Sequence, residues 1–180
     1  MKGIVFTEFL EMVEEKFGYD MVDEIIAEGD LPSGGSYTSV GTYSHAEMVQ
    51  LIVGLSQKTN KDVPSLLKAF ALYFFDTLEK TYPQFLEAAD NAFDFLESIE
   101  NYIHVEVRKL YPDAELPTFQ TNLLADNTLE MIYTSERAMS DFAEGLMERA
   151  IGYYGEEASI VKKNLTEDGK KVQFVVTKNG

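Results

Sequence analysis

The chain has 180 residues, two histidines and no cysteine, and its 31 acidic against 15 basic side chains give a formal charge of −16 at pH 7. That charge disfavours nucleic acid and anionic membrane surfaces, both of which are bound by clustered Lys and Arg. The missing thiols exclude disulfides, zinc fingers, iron–sulfur clusters and thioether-linked haem, while a 45% hydrophobic fraction with 12 Phe and 10 Tyr predicts one packed domain.

In chain order, Val5, Phe6, Phe9, Leu10, Met12, Val13 and Phe17 recur at helical spacing and predict a helix over 3–17, stopped by Gly18. Glu8 comes too early for a signal peptide. A second helix fits 19–28. Residues 29–42 are rich in Gly, Ser and Thr and contain Pro32, which reads as a loop and as a hinge between lobes. Ser44 is placed to cap a helix through Met48, Leu51, Ile52 and Leu55 towards Lys58, with Glu47 three residues on as the partner in a capping box. Asp62 and Pro64 open the next helix. Its Leu66, Leu67, Phe70, Ala71, Tyr73, Phe74, Phe75 and Leu78 leave almost no polar face, so this helix is central or lines a cavity. Pro83 interrupts, and a long helix over 91–111 carries His104.

Beyond Pro112 and Pro117 the pattern changes to strands. Segments 119–125 and 128–134 flank Asp126-Asn127, a hairpin signal. A helix over 138–154 follows, then a second hairpin that turns at Glu167-Asp168-Gly169. The predicted class is α+β, with a helical lobe over about 1–60 and a sheet-bearing lobe over about 61–180. No run approaches the length of a membrane span.

Tyr133, Ser135 and Arg137 stand two apart at the end of a strand-like run. In extended form they share a face, where two hydroxyls and a forked cation suit a pair of carboxylates or a phosphate. The same pattern also describes a polar strand end whose Arg pairs with a nearby Glu. His104 has Glu100, Asn101, Val107 and Arg108 as helical neighbours, a mixed face that by spacing alone describes a surface histidine. Val5, Phe9, Phe70, Phe74, Leu78, Phe142 and Leu146 read as ordinary core. Acidic pairs such as Glu11 with Glu14 read as a solvated face, and His45, beside a helix start, as exposed. No phosphate loop, nucleophile elbow or metalloprotease motif occurs.

Taken jointly, the Met1-Lys2-Gly3 opening, Ile103-His104-Val105-Glu106-Val107 running to Lys109-Leu110, Pro117, and Tyr133-x-Ser135-x-Arg137 before a Gly145-Leu146 helix resemble the H-NOX family. This is the haem nitric oxide/oxygen binding family related to the sensor domain of soluble guanylate cyclase. The resemblance spans the chain and implies the H-NOX fold with a non-covalent haem b between the lobes. It implies His104 as the axial ligand, Tyr133, Ser135 and Arg137 as holders of the propionates, and Pro117 pressing on the macrocycle. By family position Val5, Phe9, Phe74, Leu78, Phe142 and Leu146 line the pocket over the iron. Family members with a C-terminal structural zinc use cysteines that this chain lacks.

Oxygen-binding relatives place a tyrosine where this chain has Phe142. Stable O₂ binding benefits from a hydrogen-bond donor, whereas nitric oxide needs none. The resemblance therefore implies a cytoplasmic, monomeric sensor of nitric oxide and CO that excludes O₂ unless Tyr73 turns its hydroxyl inward. It is not an enzyme, since no distal histidine or arginine serves a peroxidase. Loss of the His104–iron bond would carry the signal to a separate histidine kinase, diguanylate cyclase or phosphodiesterase. The competing reading is a haem-free acidic adaptor of the same fold.

Overall fold

The computed structural model describes residues 1–179. Its helices are α1 (Gly3–Phe17), α2 (Tyr19–Glu28), α3 (His45–Thr59), α4 (Val63–Thr81), α5 (Pro83–Glu87), α6 (Ala92–Ser98), α7 (His104–Leu110) and α8 (Ser140–Tyr153), with a π-helical turn over Ile99–Ile103. Strands β1 (Thr118–Ala125), β2 (Thr128–Thr134), β3 (Ala158–Asn164) and β4 (Lys171–Lys178) form one antiparallel sheet in the order β1-β2-β4-β3. The α+β class stands as expected. No described helix is long and apolar enough to cross a membrane.

Helix boundaries follow their capping chemistry. Ser44 accepts from the Ala46 amide, and Asp62 accepts from the Ser65 amide at 2.9 Å with Pro64 in the first turn of α4. Glu47 does not close the expected capping box. It is buried, accepting from the Ser33 hydroxyl and from Tyr37 Oη at 2.9 Å, so its carboxylate anchors the preceding loop instead. That loop, read as a hinge in the sequence, is fastened along its length. The Gly3 and Ile4 amides donate to Gly41 and Ser39, and Tyr37 stacks on Phe6 with ring centroids 4.4 Å apart. It is built into the helical lobe and moves with it.

Two apolar cores meet at α4. One joins α1, α2 and α3 to Leu66, Leu67, Phe70 and Phe74; the other joins the sheet, α6 and α8 to Phe75. The near absence of a polar face on α4 follows from serving both. Lys2 Nζ adds a polar tie, reaching Asp113 Oδ1 at 3.0 Å, while Thr42 donates to the same carboxylate at 2.6 Å. The Thr42 hydroxyl, then Lys2, hold the Asp113 carboxyl down to about 2. The tie therefore links the start of α1 and the loop to the segment just after α7.

Helices α4 and α8 cross closely at Gly145. A Cβ there would meet Ala71 Cβ at 2.7 Å and the Lys68 backbone at 3.1 Å. Backbone atoms cannot swing aside. Gly145→Ala is thus expected to lower stability, because overpacking costs about 1–3 kcal/mol against the ~1 kcal/mol that alanine gains within a helix. Chemical denaturation of the two proteins measures the difference.

Candidate functional site

Between the two cores lies a cavity of about 300 Å³ with an overwhelmingly apolar wall. Helices α1, α4 and α8 contribute Val5, Phe74, Leu78, Phe142 and Leu146; the segment around α7 contributes Ile99, Ile103, His104, Val107 and Leu110; and the approach to β1 contributes Leu116, Pro117 and Phe119. Tyr133, Ser135 and Arg137 complete it. Residues 128 positions apart in sequence, from Val5 to Tyr133, thus converge on one space, of the size that cofactor clefts occupy.

His104 is placed by an irregularity that periodicity concealed. The expected continuous helix over 91–111 is broken into α6, a π-turn and α7, and His104 is the first residue after the π-turn, its amide donating to Ile99 O five residues back. The extra residue in the turn re-aims the following side chain, a device that recurs at functional sites. The surface position read from spacing is overturned, since His104 is only 8% exposed. Its Nδ1 lies 3.2 Å from Glu100 Oε2, and that oxygen also accepts the Phe119 amide at 3.1 Å. Burial pushes the imidazole below its ordinary range, against the opposing pull of Glu100. A carboxylate only accepts, so the neutral ring carries its proton on Nδ1 and keeps a lone pair on Nε2. Among the described residues Nε2 makes no hydrogen bond.

The polar triplet is also assembled differently from the expectation. Strand β2 ends at Thr134, and residues 135–138 form a turn closed by the Ala138 amide on Ser135 O at 3.3 Å, with Ala138 at φ 50°. A turn, not strand alternation, brings Tyr133, Ser135 and Arg137 to the same rim. Ser135 Oγ accepts the Arg137 amide at 3.2 Å, and Tyr133 Oη accepts the Met139 amide at 3.1 Å. The buried Tyr133 phenol is pushed up by desolvation. The Arg137 guanidinium forks onto Glu115, donating to its carbonyl and, at 3.0 Å, to its carboxylate. Glu115 has an 86% exposed side chain, so this pair is solvent-screened and contributes only about 0–1 kcal/mol. It is readily exchanged for another carboxylate.

Three further placements depart from the sequence reading. Phe9 does not line the cavity; it packs edge-on against Phe70, with centroids 5.2 Å apart, one layer behind the wall. Tyr73 points away, donating to Glu15 at 3.1 Å. His45 is half-buried rather than exposed, and its Nε2 is enclosed without a partner near Arg137 and the N-terminal ammonium. Helical spacing flagged Glu100 as a neighbour of His104 but not as its partner.

Among the described residues no three His, Asp or Glu side chains gather as a metal cage. One imidazole nitrogen facing an apolar slot, with hydroxyls and a guanidinium at the rim, suits a flat hydrophobic metal complex that brings its own ligands and carries acidic tails. The residues present fit haem.

A cavity of this kind, closed by helices on one side and by an antiparallel sheet on the other, defines a haem-pocket sensor fold. A sequence profile of the haem-NO-binding family matches residues 2–162, and the chain belongs to that family, the H-NOX domains. These are haem-binding sensor domains for gases such as nitric oxide and CO, and generally not enzymes themselves. The chain is similar to the Fe(II) unliganded H-NOX protein from K. algicida, with 48% identity and a TM-score of 0.97 over 100% of this chain and 97% of that one. It is also similar to the H-NOX of Shewanella woodyi, solved in the Fe(II)CO state with IWP-051 bound, at 39% identity and a TM-score of 0.84 over 99% and 95% of the two chains. The S. oneidensis H-NOX in the Fe(II)NO state shares 25% identity and a TM-score of 0.92 over the whole of both chains. No curated protein matches.

Proposed function

We propose that the protein is a ferrous-haem sensor of nitric oxide, able to take CO and closed to stable O₂ binding, which signals to a separate protein. The observation that carries this reading is the unengaged Nε2 of buried His104 on the same apolar cavity as Tyr133, Ser135 and Arg137. His104 would hold the iron of a non-covalent haem b, one per chain, and Arg137 would leave Glu115 for a propionate, with Tyr133 and Ser135 beside it. When bound, the haem supplies an iron that takes a diatomic gas, and nitric oxide weakens the bond trans to it.

The chain's residues then determine selectivity and output. Val5, Phe74, Leu78, Phe142 and Leu146 offer no donor. The nearby hydroxyls are engaged: Tyr73 with Glu15, Tyr82 with Tyr111 at 3.3 Å, and Tyr133 with the Met139 amide. Once released, His104 frees α7, whose end is tied through Asp113 to Lys2 and Thr42. Displacement of α7 therefore pulls on the helical lobe, a two-state shift biased by ligand. A sensor histidine kinase or a diguanylate cyclase/phosphodiesterase is the class of partner this output suits.

Absorption spectra of the purified ferrous protein test the reading. Shifted Soret bands under nitric oxide and under CO, with no stable oxy spectrum in air, are expected. A stable oxy spectrum would falsify the selectivity, and a colourless protein that cannot be reconstituted with haem would leave the fold as an adaptor.

A further inference from the structure

The pair formed by Glu100 and His104 has no counterpart in the roles assigned so far. Glu100 lies on the π-turn, four residues before His104, and Oε2 receives both His104 Nδ1 at 3.2 Å and the Phe119 amide at 3.1 Å. Arg108 Nη2 stands 3.7 Å from the other oxygen, Oε1. The carboxylate is therefore held from three sides by a helix residue, a strand amide and the next turn of α7. Its own side chain is 28% exposed, so solvent does not fully screen it from the imidazole.

A carboxylate behind a ligating imidazole does two things. It fixes the tautomer and ring orientation, and it withdraws the Nδ1 proton, which makes Nε2 a stronger donor to a metal. A carboxylate acceptor is about twice as strong as a neutral one. We infer that Glu100 is a positioning residue that strengthens the His104–iron bond and so sets how readily nitric oxide breaks it. This inference rests on His104 being the axial ligand, as proposed above. The shared oxygen adds a second consequence. Phe119 opens β1 two residues after Pro117, so a displaced His104 leaves Glu100 held by the strand amide and Arg108 alone. The imidazole's departure is thereby felt at the start of β1.

The test uses Glu100→Gln and Glu100→Ala in the haem-loaded protein. Glutamine keeps a neutral oxygen for the Phe119 amide and so preserves the backbone contact if alanine disturbs folding. Resonance Raman of the ferrous protein reads the iron–histidine stretch directly. It is expected to fall from wild type to Gln, and further to Ala where that variant folds. The share of nitric-oxide-treated protein retaining the His104 bond should fall in the same order, and haem dissociation should quicken about tenfold. In the haem-free protein, ¹⁵N NMR should show the His104 Nδ1 proton shifting in Gln relative to wild type. An unchanged stretching frequency in Gln, with histidine still bound, overturns the inference. Failure of the parent reading looks different: His104→Ala would then leave the ferrous spectrum unaltered.

Discussion

Replacing His104 by glycine is expected to abolish the protein's own bond to haem iron and to place the domain in its signalling state without any gas. The imidazole is the one side chain on the cavity wall with a free neutral nitrogen; Lys2 Nζ is occupied by Asp113, Thr42 and Val40 O. Haem retention should fall by more than the ~10–100-fold that follows loss of an outer-shell partner. Glycine also leaves a void the shape of the ring, so added imidazole should enter it, restore the ferrous spectrum and recover haem affinity. Imidazole in the void is not attached to α7. The rescued protein should therefore look unliganded by spectroscopy yet behave as nitric-oxide-bound towards its partner. If rescued and wild-type ferrous proteins act alike in a partner assay, signalling does not run through the His104 backbone.

Phe142→Tyr should open the pocket to O₂. The ring sits on α8 against Phe70, at 5.0 Å between centroids, and Phe74, at 5.7 Å, so it is held from two sides and a tyrosine is expected to keep its orientation. The added hydroxyl would be the first unengaged donor among the residues from α1, α4 and α8. A hydrogen bond to a charged acceptor contributes about 1.5–3 kcal/mol, which is roughly one to two decades in affinity. Nitric oxide affinity should move far less. Oxygen titration of the ferrous variant under CO competition measures the gain. An O₂ affinity equal to that of wild type would mean that Phe142 does not face the bound gas.

Much of this architecture is written locally. The stops at Gly18 and Pro83, the caps at Ser44 and Asp62, and the Asp126-Asn127 turn act within a few residues, so their effects can be read from the chain. Core membership of Phe70 and Phe74 was legible for the same reason, as an apolar face repeats every 3.6 residues. The identity of the site was legible only jointly: neither His104 nor the Tyr133-Ser135-Arg137 triplet points to haem alone, and their combination does so by family resemblance.

What remained hidden depends on how separate elements meet. Helix α4 is apolar almost all round, so composition alone leaves open which of its aromatics faces the slot and puts Phe9 on the wall when it lies a layer behind. A π-turn adds one residue to a helix without changing the apolar pattern, and that residue decides whether His104 faces water or the cavity. The Glu100 carboxylate finds its second partner on β1, 19 residues away, and Arg137 finds Glu115, 22 residues away. By itself, then, the sequence determined the elements, the acidic surface and the donor types available for a haem. Tertiary packing decided which imidazole nitrogen is free, what stands behind it and which aromatic faces the gas, because those are contacts between surfaces that local propensity does not encode.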